Sequence, residues 1–333
     1  MKRLIAALAI AVMIPAQALA WGAGGHRIVG RVAIGALPST VPGFVRTPFA
    51  VDALGEFARE PDRSKAAGTP HDPDLDPNHQ IDLDDEGKSL GGPAITALPR
   101  DRDAYETAMR AVGQTGSEGG FLPYSLMDGY QQLRIDFAYW RVLKLGETRG
   151  KTAAERAWYV RDRRLREQLT LRDLGYWAHF VGDGSQPQHV SMHYNGWGDH
   201  PNPKNYTQER NHSAFEGAFI KANVTEAGVR SVLPAPRDCG ATIQLCTAAY
   251  IARSASFIEP LYQLWGEGGF KNGDPRGTAF ATERLAAGAA ELRDLIVKAW
   301  ITSADMKIGY PAVSVKEIEA GGPIPFESFY GRD

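Results

Sequence analysis

The sequence predicts a mainly α-helical protein, a single compact domain of packed helices around a central site with long loops as its rim. Apolar residues recur at three- and four-residue steps over long stretches. Convincing alternating strands are scarce, and no linker divides the chain into two domains.

The elements follow in order. Lys2 and Arg3 form a basic start, Leu4 to Ile14 an apolar run, and Ala18-Leu19-Ala20 a small-x-small cleavage signal. This is the layout of a secretory signal peptide over residues 1–20, because the apolar run is too short for a membrane span. It implies a periplasmic or secreted product whose first residue is Trp21, carrying a free α-amine. An apolar stripe then begins at Ile28, Val29, Val32 and Leu37. Residues 102–114 predict a modest helix. Residues 124–145 predict a strong one, with Leu126, Tyr130, Leu133, Phe137, Trp140 and Leu143 on one face. A long helical pattern runs from Ala153 through Trp158, Leu165 and Leu169 to Leu174, Trp177 and Phe180, and segments 206–222, 240–265 and 277–302 complete the set. Pro, Gly and Asp mark 60–100 and 184–205 as loops. The functional domain is thus expected over 21–308, followed by a Pro/Gly-rich, non-helical tail over 309–333 with no assigned role.

Composition narrows the function. The chain has 37 basic and 39 acidic residues, and losing Lys2 and Arg3 with the leader takes its net charge from −2 to about −4. Bulk positive charge therefore cannot be what holds a nucleic acid. No later stretch is apolar enough to cross a bilayer, and no stable protein partner is implied. Cys239 and Cys246 are the only cysteines, and in an oxidising compartment they read as one local disulfide stapling a loop. Arg161, Arg163, Arg164 and Arg166 are interleaved with Asp162 and Glu167, a solvated helix face rather than a nucleic-acid contact.

The most informative stretch is YWAHFVGDGSQPQHVSMH, residues 176–193. His179 and Asp183 stand four apart, so both leave one helix face. His189 follows a Gly-Ser-Gln-Pro break that can turn the chain back toward that face. His212 and Glu216 form a second such pair, and His26 and His79 stand in similar settings. Zinc takes imidazole and carboxylate ligands, and two of them one helical turn apart grip an ion from a rigid element. A lone buried histidine is more often hydrogen-bonded than metal-bound, and one His/acid pair can be a salt bridge. Two such pairs, with a Trp at the cleavage site and a histidine five residues on, point instead to several metals. Competing motifs fail: GAGG at 22–25 has no preceding strand. HDPDLDPN puts Pro77 where a calcium loop needs Gly and Leu83 where it needs Glu.

WGAGGH, HQIDLDD, HFVGDGSQPQH and NHSAFE together resemble the zinc-dependent phospholipase C and single-strand-specific nuclease superfamily, in order from Trp21 to Glu216. The resemblance implies a mainly helical domain around three zinc ions. One would be bound by the amine and carbonyl of Trp21, by His26 and by Asp183. A second would take Asp62, His79, His179 and the bridging Asp183, and a third His189, His212 and Glu216. Lys65 falls where these nucleases carry a phosphate-clamping residue, and Asp62 would also orient the nucleophile. The short Trp21-to-His26 spacing, the H-x-I-D form at 79–82 and the long gap from His189 to His212 look like the nucleases. Glu216 in the last ligand position looks like the phospholipases. The Gly-Gly-Asn segment of the nuclease base pocket is absent, and Asn195-Gly-Trp-Gly-Asp stands there instead. Trp197 and Tyr194 either stack on a base or pack their own loop. The expected activity is a zinc-dependent phosphodiester hydrolase, an endonuclease on single-stranded DNA or RNA leaving 5′-phosphates. A phospholipase C acting on phospholipid is the alternative, and a non-catalytic zinc-binding protein the alternative of another class.

Overall fold

The computed structural model describes residues 21–271 and 273–331, so the expected signal peptide at 1–20 lies outside the described residues. Helix α1 (Gly22–Gly35) begins directly after Trp21 and buries Val29, Val32 and Ala33. It packs on α2 (Pro48–Phe57), a helix beyond those the periodicity predicts. Thr47 caps α2 by accepting from the Ala50 N–H, and Pro48 opens it. The long expected loop holds two single turns, α3 (Glu60–Arg63) and α4 (His71–Leu75), and a 3₁₀ turn at Asp76–His79. Asp101 caps α5 (Arg102–Arg110), and a Thr115/Glu118 capping box starts α6 (Gly116–Gly119).

The spine of the molecule is α7 (Leu122–Arg149) against α8 (Ala153–Asp183). A short connection forces the two into antiparallel contact: Trp140 meets Glu167, and Gly129 meets Trp177. Gly129 is required there, since a Cβ would stand 2.0 Å from the Trp177 ring. After α8 come a π-helical turn at Ala214–Phe219, α9 (Ile220–Asn223), α10 (Glu226–Ser231), α11 (Ile243–Ala255), α12 (Ile258–Gly266) and α13 (Pro275–Ser303). The latter lies deep in the core, with Leu285, Ala289, Leu292 and Ile296 buried. A two-stranded pair, β1 (Lys307–Ile308) with β2 (Val313–Ser314), and two short helices, α14 (Val315–Glu319) and α15 (Glu327–Tyr330), end the chain.

The architecture is the mainly helical single domain expected, and Cys239 and Cys246 form the expected disulfide. Four local readings need correction. Segment 206–222 becomes helical only at His212. Segment 240–265 breaks at Ser256–Phe257 into α11 and α12. The tail is not a non-helical appendage: Val315 and Ile318 join Ala138, Val142 and Ile308 in a second buried cluster on α7. The Arg149 guanidinium fastens it by donating to Ile318 O (2.7 Å) and Gly322 O. In the basic cluster, Arg163 pairs with Glu147 and Glu167, and Arg166 with the buried Asp136 (3.0 Å). Those two arginines tie α8 to α7, so the solvated face reduces to Arg161 and Arg164. Among the described residues no helix is long and apolar enough to cross a membrane.

Candidate metal centre

Six local structures bring the site together. Helix α1 carries His26, and α3 carries Asp62 with Lys65 just beyond it. The 3₁₀ turn at Asp76–His79 ends on His79, and the last turn of α8 holds His179 and Asp183. Gly184 then caps α8, and only glycine fits, because a Cβ would lie 2.6 Å from the Tyr250 ring. The chain turns through a second 3₁₀ element, Pro187–His189, which brings His189 back as its Gly-Ser-Gln-Pro break implies. His212 and Glu216 flank the start of the π-helical turn, a wide turn found mostly at functional positions.

Three donor groups result: His26, His179 and Asp183; Asp62, His79 and His179; and His189, His212 and Glu216. Within each group one ligand atom per residue lies within 4.8 Å of the others. His179 and Asp183 join the first two. Asp183 Oδ1 is 3.4 Å from His26 Nε2, and its Oδ2 is 3.1 Å from His79 Nδ1 and 3.4 Å from His179 Nε2. In the third group, His212 Nε2 is 2.7 Å from Glu216 Oε2, and His189 Nε2 is 3.5 Å from it.

The proton positions test whether these groups suit a cation. The Nδ1–H of His179 donates to Ala58 O (2.8 Å), which leaves Nε2 a bare lone pair 2.9 Å from His79 Nδ1. The Nδ1–H of His189 donates to His79 O (2.7 Å), so its Nε2 lone pair faces His212 Nε2 at 3.1 Å. Fixing one ring nitrogen on a carbonyl so that the other is presented is how proteins orient imidazole ligands. Both ring nitrogens of His26, Asp183 Oδ1 and Glu216 Oε1 are buried with no hydrogen-bond partner. Burial holds His26, His79 and His179 well below the usual histidine range, so they stand as neutral donors. Burial pushes Asp183 well above the carboxylate range, and Asp62 adds to this. Burial opposes ionisation of Glu216 too, but the His212 and His189 rings outweigh it and hold the carboxyl at about 2. The carboxylate oxygens Asp183 Oδ1 and Glu216 Oε1, buried without a partner, are costly to leave so, and divalent cations among these donors would relieve this. The donor set of imidazole and carboxylate fits zinc.

Each expected site residue is accounted for. His26, Asp62, His79, His179, Asp183, His189, His212 and Glu216 all fall in the three groups. Lys65 Nζ lies 2.7 Å from Asp62 Oδ1, and its side chain is 9% exposed. The Trp21 indole is fully buried, donating from Nε1 to Gly182 O (2.8 Å) and Ser185 Oγ (2.9 Å). The Trp21 carbonyl accepts from the Gly25 N–H (3.0 Å) as the first bond of α1. Trp197 packs its own loop: its ring stacks on His193 at 3.7 Å and its Nε1 donates to Pro201 O. Tyr194 is half exposed. Sequence reasoning missed the supports. Gln186 Nε2 donates to Glu216 Oε2 (3.4 Å), Asn195 Oδ1 accepts from the His212 N–H (3.2 Å), and Ser185 holds the indole. Their only sequence signal is proximity to the ligand motifs.

Beside the site, burial raises Asp82 to about 7, and its Oδ1 has no partner. The folded state therefore holds a proton that the unfolded chain releases near pH 4. Below pH 4 the residue costs nothing; as pH rises to 7 stability falls, by up to about 4 kcal/mol. Asp82→Asn should thus raise the urea midpoint at pH 8 and leave it unchanged near pH 4, measured in chelator. An equal shift at both pH values would contradict the assigned cause.

No family model matches this chain, and no curated protein matches it either.

Proposed function

We propose that this chain is an exported zinc-dependent phosphodiesterase, and that it cuts single-stranded DNA or RNA to leave 5′-phosphates. The observation that carries the reading is the trio of donor groups, two of them joined through His179 and Asp183, with the Lys65 ammonium beside Asp62. Trp21 (through its α-amine and carbonyl), His26 and Asp183 would hold one zinc; Asp62, His79, His179 and Asp183 a second; and His189, His212 and Glu216 the third. The Trp21 carbonyl has a second lone pair beyond the one Gly25 uses, so both duties are compatible.

Zinc so held supplies Lewis acidity and lowers the pKa of water toward about 7. The chain does the rest. Asp62 orients the attacking water and receives its proton, with the Lys65 ammonium beside it. Lys65 neutralises charge that builds on the phosphoryl oxygens as the phosphorus is attacked in line, the P–O3′ bond breaks and the departing 3′-oxygen takes up a proton from solvent, leaving the phosphate on the 5′ side. Ala58 O and His79 O fix the tautomers of His179 and His189, so the donors need no rearrangement during the reaction. Near-complete burial of the ligands keeps bulk water out, which strengthens each of these charges.

Glu216 favours a second reading, phospholipase C, since phospholipases of the superfamily place Glu there. A purified mature chain supplied with single-stranded and duplex oligonucleotides and with phosphatidylcholine decides between them. Single strands should be cut roughly tenfold faster than duplex, because only unstacked bases reach a protein surface. Chelator should abolish cleavage and zinc restore it, which a non-catalytic zinc binder could not show. Phosphocholine release without oligonucleotide cleavage would assign the phospholipase reading instead.

A further inference from the structure

We infer that the cavity between α7 and α8 is a subsite for the nucleotides flanking the scissile phosphate of a single strand; this rests on the nuclease reading above. The cavity measures about 330 Å³ and adjoins the metal centre through two shared walls. One is the 3₁₀ turn at Asp76–His79: His79 points inward, while Asn78 lines the cavity and accepts from Arg102 Nη1 (2.9 Å). The other is Phe180, which lines the cavity and sets its ring 5.2 Å from that of His79 and 5.4 Å from that of His179. Asp62, 3.7 Å from His179 Nε2, and Lys65 are the least buried members of the centre.

Arg172, Tyr176 and Phe180 line the cavity at four-residue steps, and His179 and Asp183 fall on the same face of α8, so one helix carries both the cavity lining and the metal-site donors. Arg172 lies seven residues before His179, roughly 10 Å along the axis, about three stacked nucleotides at ~3.4 Å each. The Tyr176 ring packs edge-on against Phe180 and carries the Arg172 guanidinium 4.8 Å from its centroid. An aromatic ring topped by a guanidinium offers a base a flat, positively charged stacking surface. Arg172 and Arg102 are 63% and 38% exposed, and each is steadied by one carboxylate, Asp173 and Asp128 respectively. They can turn to a flanking phosphate without leaving a buried charge unpaired. An acyl chain would fit poorly here. It would strip water from two guanidiniums and two carboxylates and give no hydrogen bond in return.

The test compares a single-stranded oligonucleotide, which reaches the cavity, with bis-p-nitrophenyl phosphate, which does not, in the zinc-loaded enzyme. Tyr176→Ala should lower the ratio of their kcat/KM values by roughly five- to a hundredfold, and Tyr176→Phe, which keeps the ring, should restore it. Arg172→Ala, a change at an exposed side chain, should flatten the dependence of log kcat/KM on log salt by about 0.7, one phosphate contact on a single strand. If Tyr176→Ala does not fold, the Arg172→Ala slope decides alone. An unchanged ratio and slope, or an equal loss on both substrates, overturns the subsite while leaving the nuclease reading intact. A wild-type enzyme that releases phosphocholine but cuts no oligonucleotide overturns that reading, and the subsite with it.

Discussion

Asp183→Ala should lower the zinc content from about three ions per chain to about one, and cut phosphodiesterase activity by on the order of 10³-fold or more. Asp183 is fully buried and reaches His26 with one oxygen and His79 and His179 with the other. Its loss would remove a ligand from two of the proposed ions and leave their charges facing each other with no anion between. The His189–His212–Glu216 group shares no residue with the other two and should keep its ion. Glu216→Ala should do the converse, losing one ion while the joined pair survives. The stability effect should change sign with metal. In chelator, ionised Asp183 is a buried charge that burial resists, so Asp183→Asn should cost nothing or stabilise; with zinc the same change should destabilise strongly. Elemental analysis and thermal melting with and without chelator check both parts. Asp183→Ala protein that still holds two or more zincs at full activity would sink the joined-site scheme.

One extra residue ahead of Trp21 should lower zinc occupancy by about one ion and reduce activity by orders of magnitude, about 10²-fold at the least. The reason is the nitrogen: on the proposed reading, cleavage after Ala20 would free an amine, whereas an amide offers no lone pair without losing its proton. On that reading, export would switch the proposed activity on. The indole has a separate duty. Its Nε1 bonds tie the start of α1 to Gly182 and Ser185, the residues either side of Asp183 and Gly184, and its ring packs on Phe215. Trp21→Phe should therefore keep zinc binding yet lower stability by about 1–3 kcal/mol through the lost hydrogen bonds and packing. Full zinc content and activity in a protein with a verified residue before Trp21 would refute the role of the amine.

By itself the sequence determined the helical class, the disulfide, the two i, i+4 pairs and which side chains are available as donors. Helical periodicity and ligand spacing are local properties, written within a few residues, so they survive reading without coordinates. His179 with Asp183 is legible for that reason, and so is the turn that returns His189. That His26, Asp62 and His79 meet them was implied by the resemblance alone and by no local pattern; the tertiary structure brings them together across about a hundred or more positions. It also decided the tautomers, because the carbonyls of Ala58 and His79 that fix them are backbone atoms, which every residue carries alike. The same limit explains the misread tail. Pro and Gly mark where its backbone turns, but the apolar face of α7 that Val315 and Ile318 cover becomes a partner only once α7 is packed. Burial, finally, is a property of the assembled domain. It turns Asp183 and Glu216 from ordinary surface-type carboxylates into buried groups that, with their imidazole neighbours, are suited to bind cations.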